Sequence, residues 1–123
     1  MSRLIASLVA TCLMPSLHAA ALPPAFELNI GQSPSAMKFL SRGTHYVLFA
    51  TDRDIVLSLA SSPAHPVRMR LPCRIRPEGI DPLDGKTNYL GSDPLLRNVP
   101  NYARIRYPSV APGIDLVLRH GNA

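Results

Sequence analysis

The sequence predicts an all-β protein, an antiparallel β-sandwich-like domain preceded by a signal-peptide helix. Three observations point there. Thirteen prolines and seven glycines in 123 residues leave few stretches long enough for a helix in the body of the chain. Short runs of alternating apolar and polar side chains recur about every ten residues, as half-buried strands do. Clusters of Gly, Pro, Asp and Ser, the residues of tight turns, separate those runs. A split α/β arrangement would need an amphipathic stretch of at least ~11 residues, and none lies beyond Ala21.

Residues 1–21 read as a secretory leader. Arg3 supplies a cationic start, residues 4–17 are mostly apolar, and Ala19, Ala20 and Ala21 are the small side chains a signal peptidase accepts. The apolar run falls short of the ~20 residues that cross a bilayer, and Pro15 and His18 interrupt it. Thr11, rather than a small Gly or Ala, precedes Cys12, which argues against lipid attachment there. Cleavage leaves one β-rich domain, residues 22–123, with about enough chain for one modest core. An exported product is expected, secreted, periplasmic or at the cell surface, with no transmembrane segment after cleavage. Cys73 is then the lone cysteine, so no internal disulfide forms and stability rests on packing or a partner.

In chain order, residues 26–32 form a short edge strand or an extended arm, and residues 37–40 a strand. Arg42-Gly43-Thr44 makes a tight turn, because Gly tolerates positive φ. Residues 46–50 return, Asp52-Arg53-Asp54 turns, and residues 55–59 place Ile55, Leu57 and Leu59 on one face. A Ser-Ser-Pro-Ala-His-Pro loop precedes residues 67–71, where Val67, Met69 and Leu71 alternate with Arg68 and Arg70. Residues 72–77, flanked by prolines, continue the sheet at an edge. Residues 78–85 are rich in turn chemistry and predict a compact loop, followed by a strand over 86–90, a turn over 91–94 and at most one helical turn over 95–98. Two alternating runs close the chain, 102–107 and 114–119, joined by a Pro-Ser-Val-Ala-Pro-Gly turn. Tyr102 and Tyr107 fall on opposite faces of their run.

Arginine is the conspicuous charged residue, at Arg68, Arg70, Arg74, Arg76, Arg104 and Arg106, within a net charge of +5. If these strands are neighbours, their outward faces pool positive charge for an anionic polysaccharide, lipid head groups or phosphates. The simpler reading is a solvated sheet face, since no aromatic platform or lysine cluster accompanies it. Asp52, Asp54, Asp81, Asp84 and Asp93 sit in turns, where Asp bonds its own backbone, and no twelve-residue calcium loop or glycosidase pair is present. His45, His65 and His120 lack metal-ligand spacing and read as exposed loop residues. Cys73 has no adjacent base to make it a nucleophile, and no GxSxG elbow or phosphate-cradling glycine loop occurs. No catalytic, cofactor or metal residue is therefore assigned.

Several segments carry more than composition. Residues 26–32 (FELNIGQ), 38–43 (KFLSRG), Asn88-Tyr89, Ser92-Asp93-Pro94, and above all 99–107 (VPNYARIRY) with 112–117 (PGIDLV) occur in that order. Together they resemble the N-terminal domain of unknown function of exported bacterial proteins that carry SBBP-type β-propeller repeats. The resemblance implies a secreted or surface β-rich module ahead of propeller repeats, with no established catalytic residues to carry over. Two departures stand out. Family members have an aromatic pair where this chain has Arg119-His120, and they continue into a further strand rich in Leu, Tyr and Phe and then into repeats. On that pattern the chain is expected to be a truncated product or fragment, with an uncovered strand at its C-terminal end.

Three functions follow as expectations. The first is a non-enzymatic structural or adhesive module that meets protein or polysaccharide at the cell surface. The second is a binding module for anionic glycans or other polyanions through the arginine face, and the third is part of an exported hydrolase.

Overall fold

The computed structural model describes residues 24–91 and 96–121, and these are all-β. The leader expected over residues 1–21 lies outside them, as does most of the 91–94 turn. The strands are β1 (Phe26–Leu28), β2 (Phe39–Arg42), β3 (Tyr46–Ala50), β4 (Asp54–Leu59), β5 (Val67–Arg70), β6 (Glu78–Tyr89), β7 (Leu96–Ala111) and β8 (Ile114–Arg119). They form one antiparallel sheet in the order β5-β4-β3-β2-β1-β7-β6, with β8 also on β7.

The sheet curls until its halves face each other, which makes it sandwich-like. Phe39, Ala50 and Ile55 from β2 to β4 share one buried cluster with Ile105 and Tyr107 of β7 and with Phe26 and Leu71. Strands several places apart in the sheet therefore pack face to face. The clustering follows from alternation: the register sets Leu28, Phe39, Ala50, Ile55 and Met69 in one cross-strand row. The opposite face carries the row Glu27, Leu40, Phe49, Val56 and Arg68.

Strand β7 is the spine. One flank pairs with β6 along most of its length, while the other is shared end to end by β1 (Phe26↔Tyr102) and β8 (Arg104↔Arg119). A sixteen-residue strand can do this only by bending. It bends where extra residues are inserted into one side of a ladder. Between Thr87↔Val99 and Tyr89↔Leu96 β7 has one extra residue, and Asn98 there has φ 56°. Between Tyr107↔Leu116 and Ala111↔Ile114 it has two more, with Ser109 at φ 53°. Such bulges increase local twist.

The bulges explain where the sequence expectations fail. Residues 78–85 are not a loop: they begin β6, and the insertion opposite β7 between Pro82 and Lys86 absorbs their turn chemistry. Residues 96–98 are strand rather than a helical turn, and the connector after Tyr107 remains strand to Ala111, so the reversal occupies only Pro112 and Gly113. Residues 72–77 carry no ladder, although Ile75 N still bonds Asp52 O at 2.8 Å. Tyr102 and Tyr107 both reach the core despite their odd spacing, Tyr102 edge-on to Phe39 with ring centroids 5.9 Å apart.

Tyr107 is fully buried, and its hydroxyl donates to the Thr51 carbonyl at 2.6 Å. Burial raises its pKa, so the phenol stays a donor at any physiological pH. Tyr107→Phe leaves the Thr51 carbonyl without this donor in a dry site. It is expected to lower stability by about 1–2 kcal/mol in urea unfolding. A change below ~0.5 kcal/mol would show that the bond contributes little to holding the two halves together.

Candidate functional site

The six arginines singled out from sequence do not form one face. Strand β5, with Arg68 and Arg70, is separated from β7, with Arg104 and Arg106, by β4, β3, β2 and β1. Alternation turned each pair outward as expected, but the sheet order places them apart.

Arg104 and Arg106 lie in the β6–β7 ladder opposite Ile80 and Glu78. Arg104 Nε bonds Asp81 Oδ2 at 2.6 Å, and Arg106 Nε bonds Glu78 Oε1 at 2.8 Å. Their charges are neutralised across the strands, although at such exposed positions each pair adds little stability. Arg76 is exposed in the segment that leads to β6.

Arg68, Arg70 and Arg74 meet at a cleft of about 630 Å³ below the β3–β4 turn, together with Lys38 and Arg53, which sequence reasoning did not single out. The register sets Asp54 opposite Arg70 and Val56 opposite Arg68. Main-chain bonds fix the surroundings: Leu71 N to Arg53 O at 2.8 Å, and the Ile75–Asp52 bond. Thr51 builds the turn, its Oγ1 accepting from Arg53 N at 3.0 Å and Asp54 N at 2.9 Å and donating to Asp54 Oδ1 at 2.6 Å. The short hydroxyl side chain of Thr, rather than that of Asp, thus caps this reversal.

Asp54 is buried, and the Thr51 hydroxyl and the Arg68 guanidinium (2.8 Å) hold its carboxyl below the usual range. Asp52 pairs with Arg74 at 3.6 Å. Five cations therefore line a cleft whose two carboxylates are each already engaged. A smaller cleft of about 320 Å³ shares Arg53, Arg70 and Arg74 and reaches the exposed thiol of Cys73.

Two other polar groups stand out. A cleft of about 840 Å³ is lined by Glu27, Arg42, Tyr46, Lys86 and Asn101 among others. Beside it Tyr89 donates to Glu27 and accepts from Arg42 at 2.8 Å, with the guanidinium 5.6 Å above the Tyr89 ring, so that β1, β2 and β6 are joined. The second group is His120, which is half-buried rather than exposed as expected; His45 and His65 are exposed. Its Nε2 lies 3.0 Å from Ser41 Oγ, its Nδ1 3.5 Å from the Tyr46 hydroxyl, and its ring packs on Phe26 at 4.8 Å. Ser41 is 1% exposed, so this Ser–His contact closes the seam where β8 meets β1 and offers no open nucleophile. No cluster of three metal-ligating side chains occurs among the described residues, and no helix there is long and apolar enough to cross a membrane.

Burial lowers the His120 pKa below its ordinary 6.5. The unfolded chain takes up that proton first, so stability is full above pH 6.5 and declines as pH falls through the depressed folded value. Asp54, with a folded pKa below 3.8, adds a second loss under that pH. Urea midpoints measured from pH 7.5 to 4.5 are expected to fall, and His120→Gln should flatten the upper part of that profile. An unchanged profile in the variant would remove His120 as its source.

No curated protein and no solved structure matches the chain. A family model does match residues 26–123, spanning every strand described above, and by that match the chain belongs to the family described as Domain of unknown function (DUF7948).

Proposed function

We propose that the chain is a non-enzymatic exported module, structural or adhesive, that works through contact with another β-structure. The carrying observation is an unfinished core row. Val67 and Met69 of β5 stand opposite Leu57 and Ile55, on the face that holds the core, yet they are 57% and 47% exposed. Ile114 on β8 is 56% exposed and Val117 39%. Among the described residues β5 pairs only with β4, and β8 only with β7. An unpaired edge with apolar side chains has the chemistry to accept another strand. The occupant we assign is a strand of an adjoining β-module in the same exported polypeptide.

The acidic groups support a structural role, since Glu78, Asp52, Asp54 and Asp81 are engaged in ion pairs. The placement ahead of SBBP-type propeller repeats rests on the order of the sequence segments given above. Export rests on residues 1–21.

Expression of the full chain in a bacterium tests both parts. Export with a mature N-terminus near Leu22 is expected, and an uncleaved cytoplasmic product would overturn it. The mature protein is expected to self-associate with concentration and to bind a hydrophobic dye, with Val67→Lys and Ile114→Lys reducing both. A sharp monomeric peak with cooperative unfolding and no dye binding would sink the docking reading. The DNA beyond codon 123 should encode propeller repeats, and any other frame there removes that placement.

A further inference from the structure

We propose that the cleft below the β3–β4 turn binds a tetrahedral oxyanion, the sulfate or phosphate ester group of a larger ligand. Its lining holds Lys38, Arg53, Arg68, Arg70 and Arg74 against two carboxylates. Arg68 and Arg74 pair with Asp54 and Asp52. Lys38, Arg53 and Arg70 form no ion pair among the described residues, although Arg70 lies close enough to act on the Asp54 carboxylate and Lys38 Nζ bonds the Ser35 carbonyl at 3.0 Å. The concavity thus carries five cations against two carboxylates and a clear excess of positive charge. Like charges gathered at one site repel. An anion placed among them relieves that repulsion and gains charge-assisted hydrogen bonds, which guanidinium forks supply well to tetrahedral oxyanions.

Main-chain geometry holds the arginines together. Arg70 is opposite Asp54 in the β4–β5 ladder, and the Leu71–Arg53 and Ile75–Asp52 bonds hold the segment carrying Arg74 against the turn. An anion therefore meets a partly preorganised set of donors, which lowers the ordering cost of binding. The cleft and its neighbour, about 630 and 320 Å³, share Arg53, Arg70 and Arg74 and have room for the ester group and part of its carrier. None of the lining residues is aromatic, so recognition there is by charge and hydrogen bonding rather than by stacking. The site uses outward-facing residues, not the apolar rows of β5 and β8, so it stands or falls apart from the docking reading.

The test titrates the purified full chain with tripolyphosphate and, separately, with a heparin-derived hexasaccharide, by calorimetry and by the rate of Cys73 alkylation with iodoacetamide. At least one probe is expected to bind, more weakly as salt rises, and to slow alkylation of Cys73 beside the shared arginines. Binding by the first probe alone assigns a phosphate ester, by the second alone a sulfate ester, and by both the shared oxyanion chemistry. Arg53→Gln with Arg70→Gln should weaken binding at least about tenfold. Arg104→Gln with Arg106→Gln, on the β6–β7 ladder, should change it less than about twofold. If the first pair of substitutions prevents folding, Lys38→Gln replaces it, with about a threefold loss expected. No binding of either probe, or equal loss in the cleft and ladder variants, overturns the site, as does unchanged binding in Lys38→Gln.

Discussion

The hydrogen bond from the Tyr107 hydroxyl to the Thr51 carbonyl joins β7 to the β3–β4 turn, two parts of one sheet that pair with each other nowhere. It can form only because the sheet curls far enough to bring β7 over β2, β3 and β4. Ile105 and Tyr107 then bury completely against Phe39, Ala50 and Ile55. Apolar burial supplies the drive, and the phenol satisfies a carbonyl that would otherwise lie unpaired in a dry interior. Thr51 is central on both sides of this contact, since its hydroxyl also fixes Asp54 at the head of β4.

The same curvature separates the protein's polar chemistry into compartments. Outward-facing residues of β6 and β7 settle into cross-strand ion pairs, in which Arg104 and Arg106 find partners one strand away. Outward-facing residues of β4 and β5 have fewer acidic neighbours, and cations outnumber carboxylates around the turn. The inner face runs out at β5, where Val67 and Met69 continue the core row without cover. A charged cleft and an apolar margin thus occupy opposite faces of one strand, because alternation assigns successive residues of β5 to opposite faces.

Much of the architecture was legible in local pattern. The alternation in residues 46–50, 55–59, 67–71 and 114–119 marks strands that the structure contains, and the turn residues between them mark the reversals. Residues 78–85 misled, because Gly, Pro and Asp describe a local preference for bending, and a bulged strand bends too; residues 96–98 carry no strand alternation of their own and become strand through pairing with β6. His120 was equally opaque. Nothing near it in sequence announces Ser41, Tyr46 and Phe26, which reach it only where β8 meets β1. Lys38 and Arg53 escaped notice for the same reason, each being one ordinary surface cation until the turn and β5 are brought together.

Alternation between near neighbours is enough to set the all-β class, most strand positions, and the outward orientation of Arg68, Arg70, Arg104 and Arg106, so these could be read from the amino-acid order. Which strands lie side by side, and therefore that four strands stand between the two arginine pairs, is visible in the folded chain alone. Strand order is set by the burial of Phe26, Phe39, Ile105 and Tyr107 in one core. That burial is a cooperative outcome of contacts far apart in the chain, and no short window of residues encodes it.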